Sequence, residues 1–267
     1  MKKILINGAP RSGTSWLGQI FNSNTKTVFR FQPLFSYSLK GYLNSDSSKQ
    51  KIDNFYEECL STTDDFILQK NQEKRGVHTI FQKNNVPTHL VLKHVRYHNI
   101  VENILRQTKN TRCVFVIRNP CGAINSWLKT PREFNPQWNK SEFLFGDFKN
   151  RGREEEFYGF LKWKESAQIF LNLHNSFPQR TKIISYEKLC KNRIIETKQI
   201  FDFCELDLET QTLEFLNFCQ SKNIDDPDTV FRKANNCDLW RTELDSEIRE
   251  FIFKDLQKTN LDVFLEQ

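Results

Sequence analysis

The first residues that could do chemistry lie in a glycine-bounded segment near the start of the chain, residues 8–15 (GAPRSGTS). An apolar stretch precedes the segment and a helical pattern follows it, which places it at the amino end of a helix. Backbone N–H groups at a helix start have no partner inside the helix, and the helix dipole favours an anion there. Arg11 adds a fixed positive charge, while Thr14 and Ser15 add hydroxyl donors. The segment therefore predicts a binding site for a phosphate or sulfate group.

The spacing of this segment matches the phosphate-loop frame GxxxxGK followed by Ser or Thr, except that Thr14 stands where the lysine is expected. In nucleoside triphosphatases and kinases that lysine reaches the terminal phosphates. Its absence, with Arg11 three residues earlier, favours a ligand that carries one 5′-phosphate and a sulfate. A glycine-rich turn that binds no ligand is the alternative that the segment alone leaves open.

A second candidate anchor follows the clearest buried strand pattern, residues 113–117 (CVFVI). Arg118 comes directly after it, and an arginine at the carboxyl end of a strand lies at the edge of an open α/β sheet where ligands bind. Ser126 is eight residues further on, two turns into the following helix, so both side chains could hold one anion. A surface ion pair of Arg118 is the alternative interpretation.

Together the two segments resemble the donor-binding motifs of the sulfotransferases that use 3′-phosphoadenosine 5′-phosphosulfate (PAPS). Residues 8–15 resemble that family's 5′-phosphosulfate loop, and residues 118–126 (RNPCGAINS) resemble its 3′-phosphate motif. The resemblance implies that Arg118 and Ser126 bind the 3′-phosphate, which distinguishes this donor from ordinary adenine nucleotides. The residues implied on the 5′ side of the donor are Arg11, Ser12, Gly13, Thr14, Ser15 and Trp16.

Weaker matches extend the resemblance along most of the chain. Gln32-Pro33 is similar to a Glu-Pro element of carbohydrate-modifying members, and Lys93 stands in a stretch that resembles the strand carrying a donor-facing lysine. Residues 185–189 (SYEKL) resemble the family's Tyr-Glu-Asp-Leu stretch. A late basic loop resembles the segment that closes over the 3′-phosphate, and it adds Arg232 and Lys233 to the implied donor site.

Sulfuryl transfer requires that donor and acceptor be aligned and that charge on the reacting oxygens be stabilised. We predict that Arg11 neutralises the leaving 5′-phosphate and that Lys93 contacts the sulfate or the bridging oxygen. A structural ion pair is the alternative role for Lys93. No metal ion is predicted, because nothing in the sequence indicates a set of carboxylates for magnesium.

The base that removes the acceptor's proton is the most open part of this predicted site. A histidine or a carboxylate suits the task near neutral pH, but Gln32 stands where the family's glutamate is expected, and a neutral amide cannot accept the proton. His94 is the preferred candidate because it adjoins Lys93, although neighbours on a strand point to opposite faces. His98 and His89 are weaker candidates.

The elements that must hold these residues alternate between short strands and helices. This order predicts an α/β protein with a central, mainly parallel β-sheet, helices on both faces and a P-loop-like sulfotransferase fold. Strands are expected at residues 3–7, 28–31, 90–93, 113–117 and 182–185. The longest helical pattern covers residues 154–174, and residues 45–51 indicate an exposed loop. No linker divides the chain, so we expect a single domain over residues 1–267.

Composition and charge argue against several other classes of protein. Hydrophobic residues make up 38% of the 267 positions and charged residues 27%, which argues against disorder. The net charge of +6 suits a polyanionic ligand, but no basic tract interleaved with aromatic residues indicates nucleic acid. Seven cysteines without a CxxC pair, and the lack of an apolar run of membrane-spanning length, predict a cytoplasmic protein with reduced thiols.

The acceptor is expected to contact the irregular segments. Residues 130–153 contain Arg132, Trp138, Arg151 and Arg153, a mixture that suits a sugar ring or an acidic glycan as well as it suits a solvated loop. The resemblance to carbohydrate-modifying members favours a carbohydrate whose hydroxyl, or amine, is sulfated. Two alternatives stay open: a small-molecule kinase, which would need magnesium, and an inactive protein that binds the donor without transfer.

Overall fold

A parallel β-sheet forms the centre of the protein in its computed structural model, which describes residues 1–221, 229–231 and 237–265. The strands are β1 (Lys2–Asn7), β2 (Thr27–Phe31), β3 (His89–His94), β4 (Thr111–Ile117) and β5 (Thr181–Ser185). Their order across the sheet is β2-β3-β1-β4-β5, and every neighbouring pair is parallel. The predicted fold class is confirmed. Arg232 and Lys233 lie outside the described residues.

Helices cover both faces of this sheet. Those in the described part of the chain are α1 (Thr14–Asn22), α2 (Lys49–Ser61), α3 (Lys70–Lys74), α4 (Val101–Gln107), α5 (Pro120–Leu128), α6 (Glu142–Phe145), α7 (Asp147–Asn150), α8 (Phe160–Ser176), α9 (Tyr186–Lys191), α10 (Arg193–Cys204), α11 (Thr210–Ser221), α12 (Trp240–Glu243) and α13 (Ser246–Leu256). Short 3₁₀ turns occupy Pro33–Phe35, His98–Ile100 and Asp262–Phe264.

Alternation along the strands separates two hydrophobic cores. Leu5 and Phe115 point to one face of the sheet, where they pack with apolar residues of α2, α4, α5, α8 and α13. Ile6 and Val114 point to the other face and pack with α1, α10 and α11. Because both faces are covered, the central strands are apolar at nearly every position, and this is why they stand out in the sequence.

The long helix α8 begins later than the sequence pattern predicts. It starts at Phe160 rather than near residue 154, because Gly159 has φ 92° and ψ 162°, outside the helical region. Phe157 is nevertheless buried, so the apolar spacing continues past the true start of the helix. The predicted helix over residues 154–174 is therefore wrong at its amino end.

The helix α2 begins earlier than expected. The Ser48 side chain accepts a hydrogen bond from the backbone N–H of Lys51 and caps the helix. A serine cap of this kind satisfies one of the free N–H groups of the first turn. Residues 49–51, predicted as loop, are therefore helical.

The carboxyl ends of β1, β3 and β4 meet at one edge of the sheet. Ile6 of β1 pairs with Lys93 of β3 on one side and with Val114 of β4 on the other. The strand order reverses around β1, which makes this edge the crevice where open α/β sheets bind ligands. The loops after β1 and β4 therefore leave the sheet side by side.

Phe115 provides a test of this core. Its ring is fully buried and stacks on Phe170 of α8, with the ring centroids 4.6 Å apart. We expect Phe115→Ala to lower the free energy of unfolding by about 3–5 kcal/mol, because it removes a large buried side chain. Ile195→Ala, at an exposed position of α10, is the control and should change it by less than about 0.5 kcal/mol. Urea denaturation measures both, and equal effects would contradict the placement of Phe115.

Candidate active site

A cavity of about 500 Å³ opens at the carboxyl edge of the sheet. Arg11, Lys93, Arg118 and Ser126 all contribute to its wall. These residues lie in or just after β1, β3, β4 and α5, so the fold brings together groups that are far apart in the sequence. Four further lysine or arginine side chains also line the cavity, and a wall this rich in cations is suited to an anionic ligand.

The loop between β1 and α1 has the backbone geometry of an anion site. Arg11 has φ 66° and Gly13 has φ 87°, so two left-handed residues curl the chain toward the helix start. Gly13, the residue that precedes α1, has no side chain that could cap the helix, so the first amides of α1 can bind a ligand. A side chain at Gly13 would overlap the ring of Tyr186, so this position requires glycine.

The remaining loop residues divide between the wall of the cavity and the interior. Thr14, Ser15 and Trp16 line the cavity, as the sequence predicts for a ligand site. Trp16 meets Tyr186 edge to face, with the ring centroids 6.4 Å apart. Ser12 does not line the cavity, and its hydroxyl is buried without a hydrogen-bond partner among the described residues.

Direct contacts join the two predicted anchors. Arg11 Nε donates to Ser126 Oγ at 3.2 Å, and Arg118 Nη1 donates to the Arg11 carbonyl at 3.0 Å. The Arg118 Nε group is buried and has no hydrogen-bond partner within the described parts of the chain. The loop after β1 and the segment that begins at Arg118 therefore form one continuous basic surface.

Three neighbours fix the Arg118 side chain and its backbone. Its guanidinium lies over the ring of Tyr186, 4.6 Å from the centroid. A Cβ at Gly122 would come within 2.9 Å of Arg118 Nε, so only a glycine leaves room for this conformation. Trp163 Nε1 donates to the Arg118 carbonyl at 3.1 Å.

The turn after β4 is held from α9. The Asn119 side chain caps α5 by accepting the Cys121 N–H at 2.9 Å, and the Asn119 N–H donates to Glu187 Oε1 at 3.0 Å. Burial raises the pKa of Glu187. Glu187 thus supports the second anchor, and its neighbour Tyr186 packs against both anchors. The weakly matching residues 185–189 therefore support both loops, a role that the sequence argument did not foresee.

Lys93 projects into the cavity from the end of β3. Its ammonium group lies over the ring of Phe31, 4.5 Å from the centroid. Burial, together with the nearby positive charges of Arg96 and Arg11, lowers the pKa of Lys93 to about 7, while the negative charge of Glu133 opposes this shift. An anionic ligand would reverse this balance and favour the charged form.

The three histidines considered as bases do not line the cavity. His94 follows Lys93 in β3 and therefore points to the opposite face; it is buried, and burial lowers its pKa to about 3. His98 packs on Phe157, with the ring centroids 4.4 Å apart. His89 lies at the other end of β3 and contacts the Cys204 carbonyl at 3.1 Å. The geometry gives His94 no access to an acceptor in this cavity.

A different histidine, His78, does line the cavity. Its Nδ1 lies 3.4 Å from the side-chain nitrogen of Gln19, which also donates to Gln69. His78 follows α3 in a region without a clear sequence pattern, and nothing in that pattern marked it as a site residue.

Gln32, which replaces the family's glutamate, lies at the cavity and is engaged by an arginine. Arg96 Nη1 donates to Gln32 Oε1 at 2.9 Å, and Arg96 Nε donates to the buried Glu156 at 2.7 Å. The Arg96 guanidinium also lies over Phe35, 3.9 Å from the ring centroid. Gln32 therefore acts here as a hydrogen-bond acceptor for a fixed arginine.

A carboxylate that the sequence argument missed lies on the cavity wall. Glu133 follows α5, and its Oε2 is 3.8 Å from Arg11 Nη1. Its backbone is fixed on both sides, because its N–H donates to the Thr130 carbonyl at 2.8 Å and its carbonyl accepts the Trp127 indole at 3.2 Å. No motif marked this residue, because only the tertiary fold brings it next to Arg11.

The segment predicted to bind the acceptor lies only partly at the cavity. Arg132 contributes to the wall, whereas Trp138, Arg151 and Arg153 do not. Trp138 instead stacks on an aromatic ring of α7, and Arg153 pairs with Glu156. Lys149 of α7 is a cationic wall residue that the sequence argument did not name.

The structure also bears on metals and membranes. The described residues contain no group of three or more His, Cys, Asp or Glu side chains that could hold a metal ion. None of the helices in the described ranges combines the length and apolar character needed to cross a membrane.

The fold and the two joined anchors define a sulfotransferase. The model of the sulfotransferase domain family matches residues 1–260, and the chain belongs to that family. The family and the fold expected from the two sequence motifs are therefore confirmed.

Individual relatives are distant. Carbohydrate sulfotransferase 1 of Danio rerio is 18% identical over 317 residues, with 93% of this chain and 74% of that protein covered. Mouse sulfotransferase SULT7A1, solved in complex with PAP, has a TM-score of 0.61 and 15% identity over 99% of this chain and 87% of its own. The sulfotransferase domain of the Synechococcus PCC 7002 olefin synthase has a TM-score of 0.55 and 15% identity over 96% and 94%. At these identities the two structures establish the shared fold alone.

The lowered pKa of Lys93 predicts a proton-linked binding step. At about pH 8 Lys93 is largely neutral in the free protein, and a bound 3′-phosphoadenosine 5′-phosphate (PAP) should raise its pKa and cause net proton uptake. Calorimetry in buffers of different ionisation enthalpy measures this uptake. Lys93→Met should abolish it, whereas Lys129→Met, at an exposed lysine paired with Glu243, should not. Unchanged uptake in Lys93→Met would contradict the assignment.

Proposed function

We propose that the protein transfers the sulfuryl group of PAPS to a hydroxyl, or an amine, of an acceptor. The observation that carries this proposal is the direct contact between the two anchor loops, in which Arg11 reaches Ser126 and Arg118 reaches the Arg11 carbonyl. One cavity thus offers two adjacent anion sites, as a donor with a 3′-phosphate and a 5′-phosphosulfate requires. Membership of the sulfotransferase domain family supports the same reaction.

The donor matches a polar group that the protein leaves unpaired. Arg118 Nε is buried without a hydrogen-bond partner among the described residues. Leaving such a group unsatisfied costs about 1–3 kcal/mol, and more when it is charged. A 3′-phosphate bound between Arg118 and Ser126 would satisfy it. The complex of mouse SULT7A1 with PAP supports a donor of this type in a related fold.

Arg11, Lys93 and Arg118 each have one task in this proposal. Arg118 and Ser126 bind the 3′-phosphate and fix the adenosine end of the donor. Arg11 and the first amides of α1 bind the 5′-phosphate and stabilise the charge that it gains as the leaving group. Lys93 donates to the sulfuryl or bridging oxygen. Preorganised charges of this kind act most strongly in a cavity from which water is excluded.

We further propose that the acceptor is a carbohydrate. The cavity wall also includes Phe35 and Phe66, whose ring centroids are 6.0 Å apart, together with the amides of Gln69 and Gln72. Aromatic faces can pack against sugar rings, while side-chain amides can pair with hydroxyl groups. The distant similarity to carbohydrate sulfotransferase 1 supports this acceptor class.

We also propose a cytoplasmic location for the protein. All seven cysteines are free thiols, and only Cys190 is more than slightly exposed. Free thiols in this number are typical of proteins from a reducing compartment. Cell fractionation of the natural protein tests this part of the proposal.

The donor is tested by calorimetric titration with PAP, adenosine 5′-phosphate and ATP–Mg. We expect PAP to bind tightest, and Arg118→Ala to weaken it about 10- to 100-fold, because a charged hydrogen bond contributes about 1.5–3 kcal/mol. Arg112→Ala is the matched control, since Arg112 lies in β4, the strand that leads into Arg118, but pairs with Glu205. Tighter binding of ATP–Mg, without an advantage of the 3′-phosphate, would favour a kinase instead.

The acceptor is tested by incubating the protein with labelled PAPS and a panel of compounds. The panel contains chitin oligosaccharides, desulfated glycosaminoglycans and simple phenols. We expect transfer to an oligosaccharide. Transfer to phenols alone would contradict the carbohydrate acceptor, and PAP binding without transfer to any acceptor would identify an inactive donor-binding protein.

A further inference from the structure

The proposed reaction needs a group that accepts the acceptor's proton. Gln32 is a neutral amide whose oxygen is already engaged by Arg96. His94 and the other two histidines expected for this task do not line the cavity. Among the described residues, Glu133 is the one carboxylate in the cavity wall.

Glu133 has the accessibility and the rigidity that a base requires. It lines the cavity, and its backbone is fixed by the Thr130 carbonyl and the Trp127 indole. Its Oε2 is buried and accepts no hydrogen bond from the described residues. The Glu133 side chain as a whole is 27% exposed, so an acceptor in the cavity can reach the carboxylate from its open side.

Glu133 lies beside the donor loop and close to other charged or polar groups of the cavity wall. Its Oε2 is 3.8 Å from Arg11 Nη1. Its charge also acts on three further wall residues, Lys149 of α7, Tyr158 before α8 and Lys93. An acceptor held between these groups would have its hydroxyl next to both the sulfuryl group and Glu133.

We infer that Glu133 is the catalytic base, an inference that rests on the proposed sulfotransferase function. A carboxylate oxygen of Glu133 accepts the proton of the acceptor hydroxyl while the hydroxyl oxygen of the acceptor forms its bond to sulfur. The bond between sulfur and the 5′-phosphate oxygen breaks at the same time, and its electron pair stays on the phosphate beside Arg11. The products are a sulfate ester, PAP and protonated Glu133, which returns its proton to solvent.

The pairing of Glu133 with Arg11 explains how the carboxylate is held before the donor binds. Arg11 faces Glu133 at 3.8 Å while it donates to Ser126 at 3.2 Å. A 5′-phosphate beside Arg11 competes for the same guanidinium and releases the carboxylate towards the acceptor. His78, on another part of the wall, contacts Gln19 rather than the donor loop.

The test compares Glu133→Gln with the wild type in PAP titration and in sulfation of the best acceptor of the panel. We expect kcat to fall about 100-fold or more, the usual contribution of a general base. PAP binding should be unchanged or tighter, because the neutral side chain no longer competes with the phosphate for Arg11. Glu243→Gln is the matched control, since Glu243 also contacts α5, through Asn125, but does not line the cavity.

A second variant separates base catalysis from a structural role. In Glu133→Ala, added formate should restore part of the turnover, because a small carboxylate can take the empty place. Three results would each overturn the inference. The first is an unchanged kcat in Glu133→Gln, and the second is a loss of PAP binding in Glu133→Gln that is as large as its loss of kcat. The third is a loss of kcat in His78→Gln while Glu133→Gln keeps its activity. Failure of the wild type to bind PAP or transfer sulfate would instead overturn the proposed function.

Discussion

Parallel pairing of β1 with β4 is the constraint on which the anion site depends. Asn7 lies opposite Phe115, so the two following loops leave the sheet in register and Arg118 reaches the Arg11 carbonyl at 3.0 Å. A shift of one residue in this pairing would turn every side chain of the strand to the other face. The two cores prevent such a shift, because each holds one set of alternating strand residues.

Much of this arrangement could be predicted because the signals are local. Strands buried on both faces read as continuous apolar runs, and the anion loop combines a helix start with glycines and an arginine within residues 8–15. The position of Arg118 after the strand CVFVI places it at the ligand edge without knowledge of the rest of the fold. The sequence therefore predicts that Arg11 and Arg118 lie at one edge of the sheet, and the structure places both in the wall of one cavity.

The part of the cavity wall around Glu133 could not be predicted, because it depends on tertiary contacts. Glu133 reaches Arg11 only through the turn after α5, and Tyr186 meets Gly13 only because α9 follows β5 beside the loop. His94 shows the limit of nearness in sequence, since it adjoins Lys93 but does not line the cavity. The strand continues through His94, and alternation keeps the two side chains on opposite faces.

The carboxylate beside Arg11 also has a consequence for selectivity against inorganic ions. Because Glu133 is tethered at 3.8 Å from Arg11 Nη1, it is present at a high effective concentration around that guanidinium. A free phosphate or sulfate ion must displace the Glu133 carboxylate through its contact with Arg11 alone. A ligand that also engages Arg118 gains a second attachment and displaces it more readily. In the proposed donor site, the carboxylate would therefore disfavour simple anions relative to a ligand that is anchored at both Arg11 and Arg118.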